Sequence, residues 1–513
     1  MPRPEAIAAA VLCASALTGC ATSALQMAPD RPDRPDRPWS PAVTSTGEIV
    51  PGEKGSASNP LGYVLPSNSE LAEAPAPPTV EGGKTYSLAE LIDLAELNNP
   101  STRIAWNDAR KAALAAGVAE SAYLPKITAA AVGGYQGGSG GTSTLLGQNF
   151  NTSSSGSAVI TAVSLQWLLF DFGERQAVVE AAKQASVVSN IAFTAAHQQL
   201  IYAVSVTFYA NAAAQSRVRT ATESLQNANA VQAAAEDRYK HGVGTVMEVA
   251  QARQATAQAN LALVQATGGA EDAYLALINA MGISPLTRLK PADVSGRKLS
   301  PALQTSVEGV ISASLARRPD VLSAYAAEKA SRANIRAAKA EFMPKVFMSA
   351  VGDYNSGLLD ITAIPAVGQG ASTSNITGNR WGGNVIAGVS VPLYDGGVRA
   401  ATLAQARAEA DSAEARLTRT RDQAVREIVV ADNALRTSLA AYSASQALAE
   451  ATQTTFDSAL AAYRNGVGSI TDTTLAETQL LQAKNASSDS YSIALSAAAT
   501  LALATGALGA APE

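Results

Sequence analysis

Two histidines and two cysteines in a chain of 513 residues nearly exclude a His/Cys metal cage or a zinc ribbon. Charge is scarce too, at 16% of residues, and the net charge of -5 argues against a nucleic-acid binder. Aromatic residues are only 5% although hydrophobic residues are 47%, a balance that suits long Ala-rich helices better than a core of large side chains. Proline is missing between Gly173 and Pro285 and again between Pro392 and Pro512, which permits very long helices. Beyond the first twenty residues, no stretch is long and apolar enough to cross a membrane as a helix.

The N-terminus is organised as a targeting segment. Arg3 supplies a thin positive region and Ala6 to Leu17 a short apolar one, followed by Leu17-Thr18-Gly19-Cys20. That ending resembles a bacterial lipobox, in which Gly19 must be small for the peptidase and Cys20 must be a thiol to take the diacylglycerol. An ordinary signal peptide that happens to contain cysteine is the other reading. On the lipobox reading residues 1–19 are removed, Cys13 leaves with them, and Ala21 in place of Asp resembles the default for outer-membrane sorting. Residues 20–85, with the tract Arg31-Pro32-Asp33-Arg34-Pro35-Asp36-Arg37-Pro38, read as a solvated Pro-rich tether.

From Tyr86 the chain repeats itself. Tyr123-Leu124-Pro125-Lys126-Ile127 returns as Phe342-Met343-Pro344-Lys345-Val346 at an offset of 219. Phe170-Asp171-Phe172-Gly173 returns as Tyr394-Asp395-Gly396-Gly397, and Tyr239-Lys240-His241-Gly242-Val243-Gly244-Thr245 as Tyr463-Arg464-Asn465-Gly466-Val467-Gly468-Ser469, both at 224. Two copies, 86–295 and 296–510, therefore share one internal order, with a longer loop in the second. Each opens with an Ala-rich helix, expected over Ser87 to Ala122 and Leu303 to Glu341. Two alternating strands follow, and then a long helical hairpin. Glu174 to His241 would extend about 100 Å at about 1.5 Å per residue. Two shorter helices laid end to end match that length, the geometry of an elongated tube wall.

The alternating segments show their surroundings. Thr161, Val163, Leu165, Trp167 and Leu169, with Val385, Ala387, Val389, Val391 and Leu393, form a mainly apolar face; Ala162, Ser164, Gln166, Gly388 and Ser390 form the other. This fits a transmembrane barrel wall, and also a soluble sandwich with one buried face. Four strands cannot close a membrane barrel, whose minimum is about eight. A barrel reading therefore requires an oligomer.

The duplicated helix-strand-strand-helix unit, the Phe-Asp-Phe-Gly and Tyr-Asp-Gly-Gly strand ends and the paired Tyr-x-x-Gly-x-x-Thr/Ser turns resemble the outer-membrane efflux family of TolC-like channels, over about Tyr86 to Gly509. The resemblance implies a mainly α chain with a β-barrel part: a homotrimer sharing a 12-stranded barrel, with a helical barrel reaching into the periplasm. It also implies a periplasmic membrane-fusion adaptor and an inner-membrane pump, and the lipobox resembles the subgroup served by RND-type pumps. Residue by residue, it implies adaptor docking at the turns Gly242, Val243, Gly244 and Gly466, Val467, Gly468, and a periplasmic gate at Glu248, Tyr463 and Asp472. Gly468 stands where an Arg latch can occur in the family, and Leu475 where a second acidic ring can occur.

No constellation for catalysis, cofactor binding or metal binding accompanies these features. His197 and His241 lie alone, and the six methionines do not cluster. Thr245-x-x-Glu248 and Ser469-x-x-Asp472 also read simply as helix caps, and capping and gating both remain open. Two other functions stay in view: a type I protein-secretion channel of the same fold, and a structural coiled-coil lipoprotein, against which the Ala-rich, heptad-poor helices speak.

Overall fold

The computed structural model describes residues 42–43, 49–50, 71–73, 76–81, 83–139, 143–145, 148–150, 153–294, 299, 307–362, 373–377 and 380–509. The chain forms two compact units, Met1–Pro78 and Thr79–Glu513. Cys20, the segment before it and most of the Pro-rich stretch lie outside the described residues. Within the first unit Ala42–Val43 pairs antiparallel with Ile49–Val50, a small strand pair that the pattern of residues 20–85 does not announce.

In the second unit the opening helix of each copy is two helices. Leu88–Asn98 (α1) and Pro100–Glu120 (α2) replace the single helix expected over Ser87 to Ala122. Val307–Leu315 (α5) and Pro319–Ala340 (α6) replace the one expected over Leu303 to Glu341. The cause is proline at the first position of α2 and α6, which forces the residue before it out of helical geometry. Asn99 (ψ 122°) and Arg318 (ψ 128°) are both extended. Each freed side chain then reaches the C-terminal end of a returning helix. Asn99 Nδ2 donates to the Ala280 carbonyl at 3.3 Å, and Arg318 Nη1 to the Ala504 carbonyl at 2.7 Å. These satisfy carbonyls that a helix end leaves without partners.

Four long strands follow the same duplication: Lys126–Ser139 (β1), Ser153–Phe170 (β2), Lys345–Thr362 (β3) and Arg380–Ser390 (β4). They pair antiparallel in the order β1-β2-β3-β4, and Thr373–Thr377 pairs with the far end of β3. The register puts Ile127, Leu165, Ala350 and Val385 in one row across the sheet, and Ala131, Thr161, Tyr354 and Trp381 in another on the same face. Thr128, Ser164, Val351 and Asn384, and Lys126, Gln166, Ser349 and Ile386, line the opposite face. One face is therefore mainly apolar across all four strands, while the opposite face mixes Lys126, Thr128, Gln166 and Asn384 with Val351 and Ile386. Val391 and Leu393, expected on β4, lie beyond its end at Ser390, because Pro392 has no N–H to extend the ladder.

A tight elbow joins β2 to the first long helix. Gly173 is left-handed (φ 91°), and Asp171 Oδ2 accepts hydrogen bonds from Arg175 N at 2.9 Å and Nε at 2.8 Å. The second copy repeats it with Gly397 (φ 92°), Asp395 and Arg399.

The long helices are Glu174–Lys240 (α3) and Val398–Arg464 (α7), 67 residues each, and the returning helices are Val246–Met281 (α4) and Ile470–Ala504 (α8). Helices α2 and α4 lie along α3, and α6 and α8 lie along both α7 and α3. The seams are built on heptads after all. On α3 the buried positions Ala221, Ser224, Ala228, Val231 and Ala235 alternate three and four apart, as do Ala424, Ile428, Ala431, Leu435 and Ser438 on α7. The sequence looks poor in heptads because most of these positions hold small residues that do not stand out as hydrophobic. Larger side chains collect where α1 meets the middle of the bundle: Leu91, Val204, Phe208, Leu277, Ile278 and Met281 are all buried there. Among the described residues no helix is long and apolar enough to cross a membrane.

Candidate functional site

The two hairpin turns have nearly the same backbone. Gly242 (φ 74°) and Gly466 (φ 80°) end α3 and α7 in left-handed geometry. The amides of Val243 and Gly244 donate to the Arg238 carbonyl, and those of Val467 and Gly468 to the Ala462 carbonyl. Gly244 and Gly468 are required sterically: a Cβ on either would lie 2.9 Å from the backbone nitrogen of Tyr239 or Tyr463. At Gly468, where an Arg latch can occur in the family, there is thus no room for a side chain without moving the helix. Val243 and Val467 project from the turns and are exposed.

Caps start the returning helices. Thr245 Oγ1 accepts from Glu248 N and Glu248 Oε2 accepts from Thr245 N, both at 3.2 Å, a reciprocal capping box. Ser469 Oγ accepts from Asp472 N at 3.1 Å and donates to Asp472 Oδ2 at 2.8 Å. Both carboxylates also stand at the positive end of a helix.

The same motif position behaves oppositely in the two copies. Tyr239 is 49% exposed, whereas Tyr463 is fully buried among Val231, Val249, Phe456, Ile470 and Leu480. Among the described residues the Tyr463 hydroxyl has no hydrogen-bond partner. Burial, and then the nearby Glu248 charge, push its phenol above the ordinary value, while Arg238 pulls the other way, so it is uncharged at neutral pH. Glu248 therefore acts on Tyr463 through its field and spends its hydrogen bonds on its own cap. Arg238, which motif reading passes over, occupies the space between the tips. Its guanidinium carbon lies 5.1 Å from the Tyr463 ring centroid, Nη1 donates to the Tyr463 carbonyl at 3.2 Å, and Nη2 to the Val243 carbonyl at 3.3 Å.

Farther along the hairpins, α3, α4 and α8 enclose a groove of about 480 Å³ lined by Gln251, Gln254, Gln258, Thr474 and Thr478. Its single ionisable side chain is Glu477, buried and held by Ser224 Oγ at 2.9 Å. Burial pushes this carboxyl above its usual range, with the Ser224 hydrogen bond opposing.

The tube-like hairpins, the sheet with one apolar face and the paired turns describe a molecule that comparison with known proteins can place. The profile of the outer membrane efflux protein family matches residues 91–283 and 310–507. The chain belongs to that family. It is 27% identical to protein CyaE of Bordetella pertussis over 455 residues, spanning 87% of this chain and 89% of CyaE. It is also 27% identical to outer membrane protein OprJ of Pseudomonas aeruginosa, covering 74% and 75% of the two chains. The crystal structure of the Campylobacter jejuni CmeC outer membrane channel superposes with a TM-score of 0.70 at 20% identity, over 82% of this chain and 85% of that one. As an outer membrane efflux protein, the chain serves efflux at the outer membrane.

In this efflux-family frame the histidines have structural surroundings. His197 Nδ1 lies 3.2 Å from Glu96 Oε1, and its ring sits edge-on to Phe193. His241 Nδ1 lies 2.9 Å from the Asp237 carbonyl of its own helix. Among the described residues no cluster of His, Cys, Asp and Glu is placed to hold a metal.

Proposed function

We propose that three copies of this chain close a 12-stranded barrel in the outer membrane and passively conduct small toxic compounds delivered by a periplasmic adaptor and an inner-membrane pump, of the RND type. The observation that carries the reading is the sheet. Its outer strands β1 and β4 each have one edge without a strand partner among the described residues, and one of its faces is apolar and exposed, with Val163 53% and Val385 74% accessible. In a bilayer every unpaired backbone group costs several kcal/mol, so such edges must meet copies of each other. Edge strands β1 and β4 are antiparallel partners in waiting, and three copies close the ring.

The turns Gly242-Val243-Gly244 and Gly466-Val467-Gly468 dock the adaptor, presenting Val243 and Val467 to it. Glu248, Asp472 and Tyr463 form the gate of the closed periplasmic entrance, the acids at the helix starts and Tyr463 from within the packed tip. Cys20 carries the lipid that anchors the chain to the inner leaflet of the outer membrane. The test is size and conductance together: the protein purified in mild detergent should run as a trimer and form pores in a planar bilayer. A monodisperse monomer that retains its strand content would refute the shared barrel.

A further inference from the structure

The duplication makes every residue of one hairpin tip comparable with its counterpart 224 residues away, and just before the tyrosines the comparison breaks, Glu236-Asp237-Arg238 standing against Leu460-Ala461-Ala462. Arg238 corresponds to Ala462, one residue before the two tyrosines. The exchange coincides with the opposite burial of those tyrosines, exposed in the first copy and enclosed in the second. Arg238 belongs to the last turn of α3, yet two of its three attachments, the ring and the carbonyl of Tyr463, lie on the tip of α7. The third, the Val243 carbonyl, ties the same guanidinium to its own turn. Gly466 makes room for this crossing, since a Cβ there would stand 3.1 Å from Nη1.

We propose that Arg238 is the residue that fastens the second hairpin tip to the first, and that the periplasmic entrance opens only when its guanidinium releases Tyr463. The proposal rests on the channel reading and adds to it a residue that the motif shared by the two copies does not include. The fork of Arg238 can satisfy two carbonyls and cover an aromatic face at once, which neither Ala462 on the other tip nor a lysine could do. Its Nε makes no hydrogen bond among the described residues, and the link is held by the two terminal nitrogens and the stacked ring. Release breaks the attachments to Tyr463 and leaves the Val243 bond intact, so Arg238 stays with the first tip when the second moves.

Two measurements on the full-length protein test this. Spin labels at Val243→Cys and Val467→Cys report the distance between tips, and planar-bilayer recording reports the open fraction. With Arg238→Met, which keeps the stem but has no donors, the distance distribution should lengthen and broaden, and the open fraction should rise by about tenfold or more, the weight of a charged hydrogen bond. Arg238→Lys should fall between, and unchanged far-UV dichroism shows that the helices persist. A Met variant with the parent's distance distribution would overturn the clamp. So would a Met variant whose tips separate while its open fraction equals the parent's. A parent protein that forms no pore would instead refute the channel reading, and the spin-label distances would still judge the clamp.

Discussion

Ser224 on α3 donates a 2.9 Å hydrogen bond to Glu477 on α8 in a buried setting, which places an ionisable group inside a seam of mostly small, uncharged side chains. The uncharged carboxyl is favoured by burial, so the contribution of Glu477 to stability is complete below the ordinary carboxylate range and is lost as pH rises through its elevated folded-state value. Thermal unfolding followed by circular dichroism should therefore show a midpoint that falls from pH 5 to pH 8 in the parent and falls less in Glu477→Gln. Ser224→Ala should cost about 1 kcal/mol at low pH. Equal slopes in the parent and the Gln variant would rule out Glu477 as the titrating group.

The two faces of β4 can be tested one residue apart. Val385→Arg puts a charge on the apolar face and should cost about 2–4 kcal/mol if that face meets lipid near the midplane. Asn384→Arg, on the opposite face, should leave assembly intact and change ion selectivity. Outer-membrane yield of folded oligomer, read by heat-modifiable gel migration, compares them. Equal yields would argue that neither face meets lipid.

Cys20 should carry lipid. A radiolabelled fatty acid should label the parent chain and not Cys20→Ser, while the variant still assembles to a degree because the barrel does not depend on the anchor. Undiminished labelling of the variant would remove the lipobox from the account.

The tip acids have two roles to separate. If Glu248 and Tyr463 only cap and pack, then Glu248→Ala with Tyr463→Phe should cost about 1 kcal/mol in helix-end stability and leave conduction as it was. If they also hold the entrance shut, the double variant should conduct more, and Asp472→Asn should weaken a cation preference set by a ring of carboxylates. Planar-bilayer recordings decide.

Gly468→Ala should destabilise the second turn and Val467→Ala should not, since only the former brings a side chain against the backbone of Tyr463. Hydrogen exchange of the amides around residues 462–470 is the readout, and equal protection in both variants would contradict the steric argument.

Much of this architecture could be read from the sequence because proline is so sparing. Its absence, with the repeated Tyr-x-x-Gly motif that locates both turns, gave the extent of α3 to within a residue and left room for an equally long α7. The breaks at Asn99 and Arg318 were signalled by Pro100 and Pro319 but were hidden within otherwise helical, Ala-rich periodicity. The heptads escaped notice because a seam of Ala221, Ser224 and Ala228 carries no hydrophobic contrast. Arg175 and Arg399 were within reach, each four residues after the motif aspartate and at the same 224 spacing. Arg238 was not, because looking for what the copies share discards a residue whose counterpart is Ala462. The lone Glu477 was equally silent, since nothing in its neighbourhood of threonines marks it as buried.

The equal lengths of α3 and α7 have a consequence for how such a chain can change. Arg238 meets Tyr463 only because both helices climb the same number of residues from their left-handed glycines to their turns. Removing one heptad from α3 alone would leave its tip about 10 Å short of its neighbour at about 1.5 Å per residue, with every seam still in phase but the two ends out of level. Insertions and deletions in the wall are therefore tolerated only as matched pairs, one in each copy. The duplicated halves are bound to keep a common length while their individual residues drift apart.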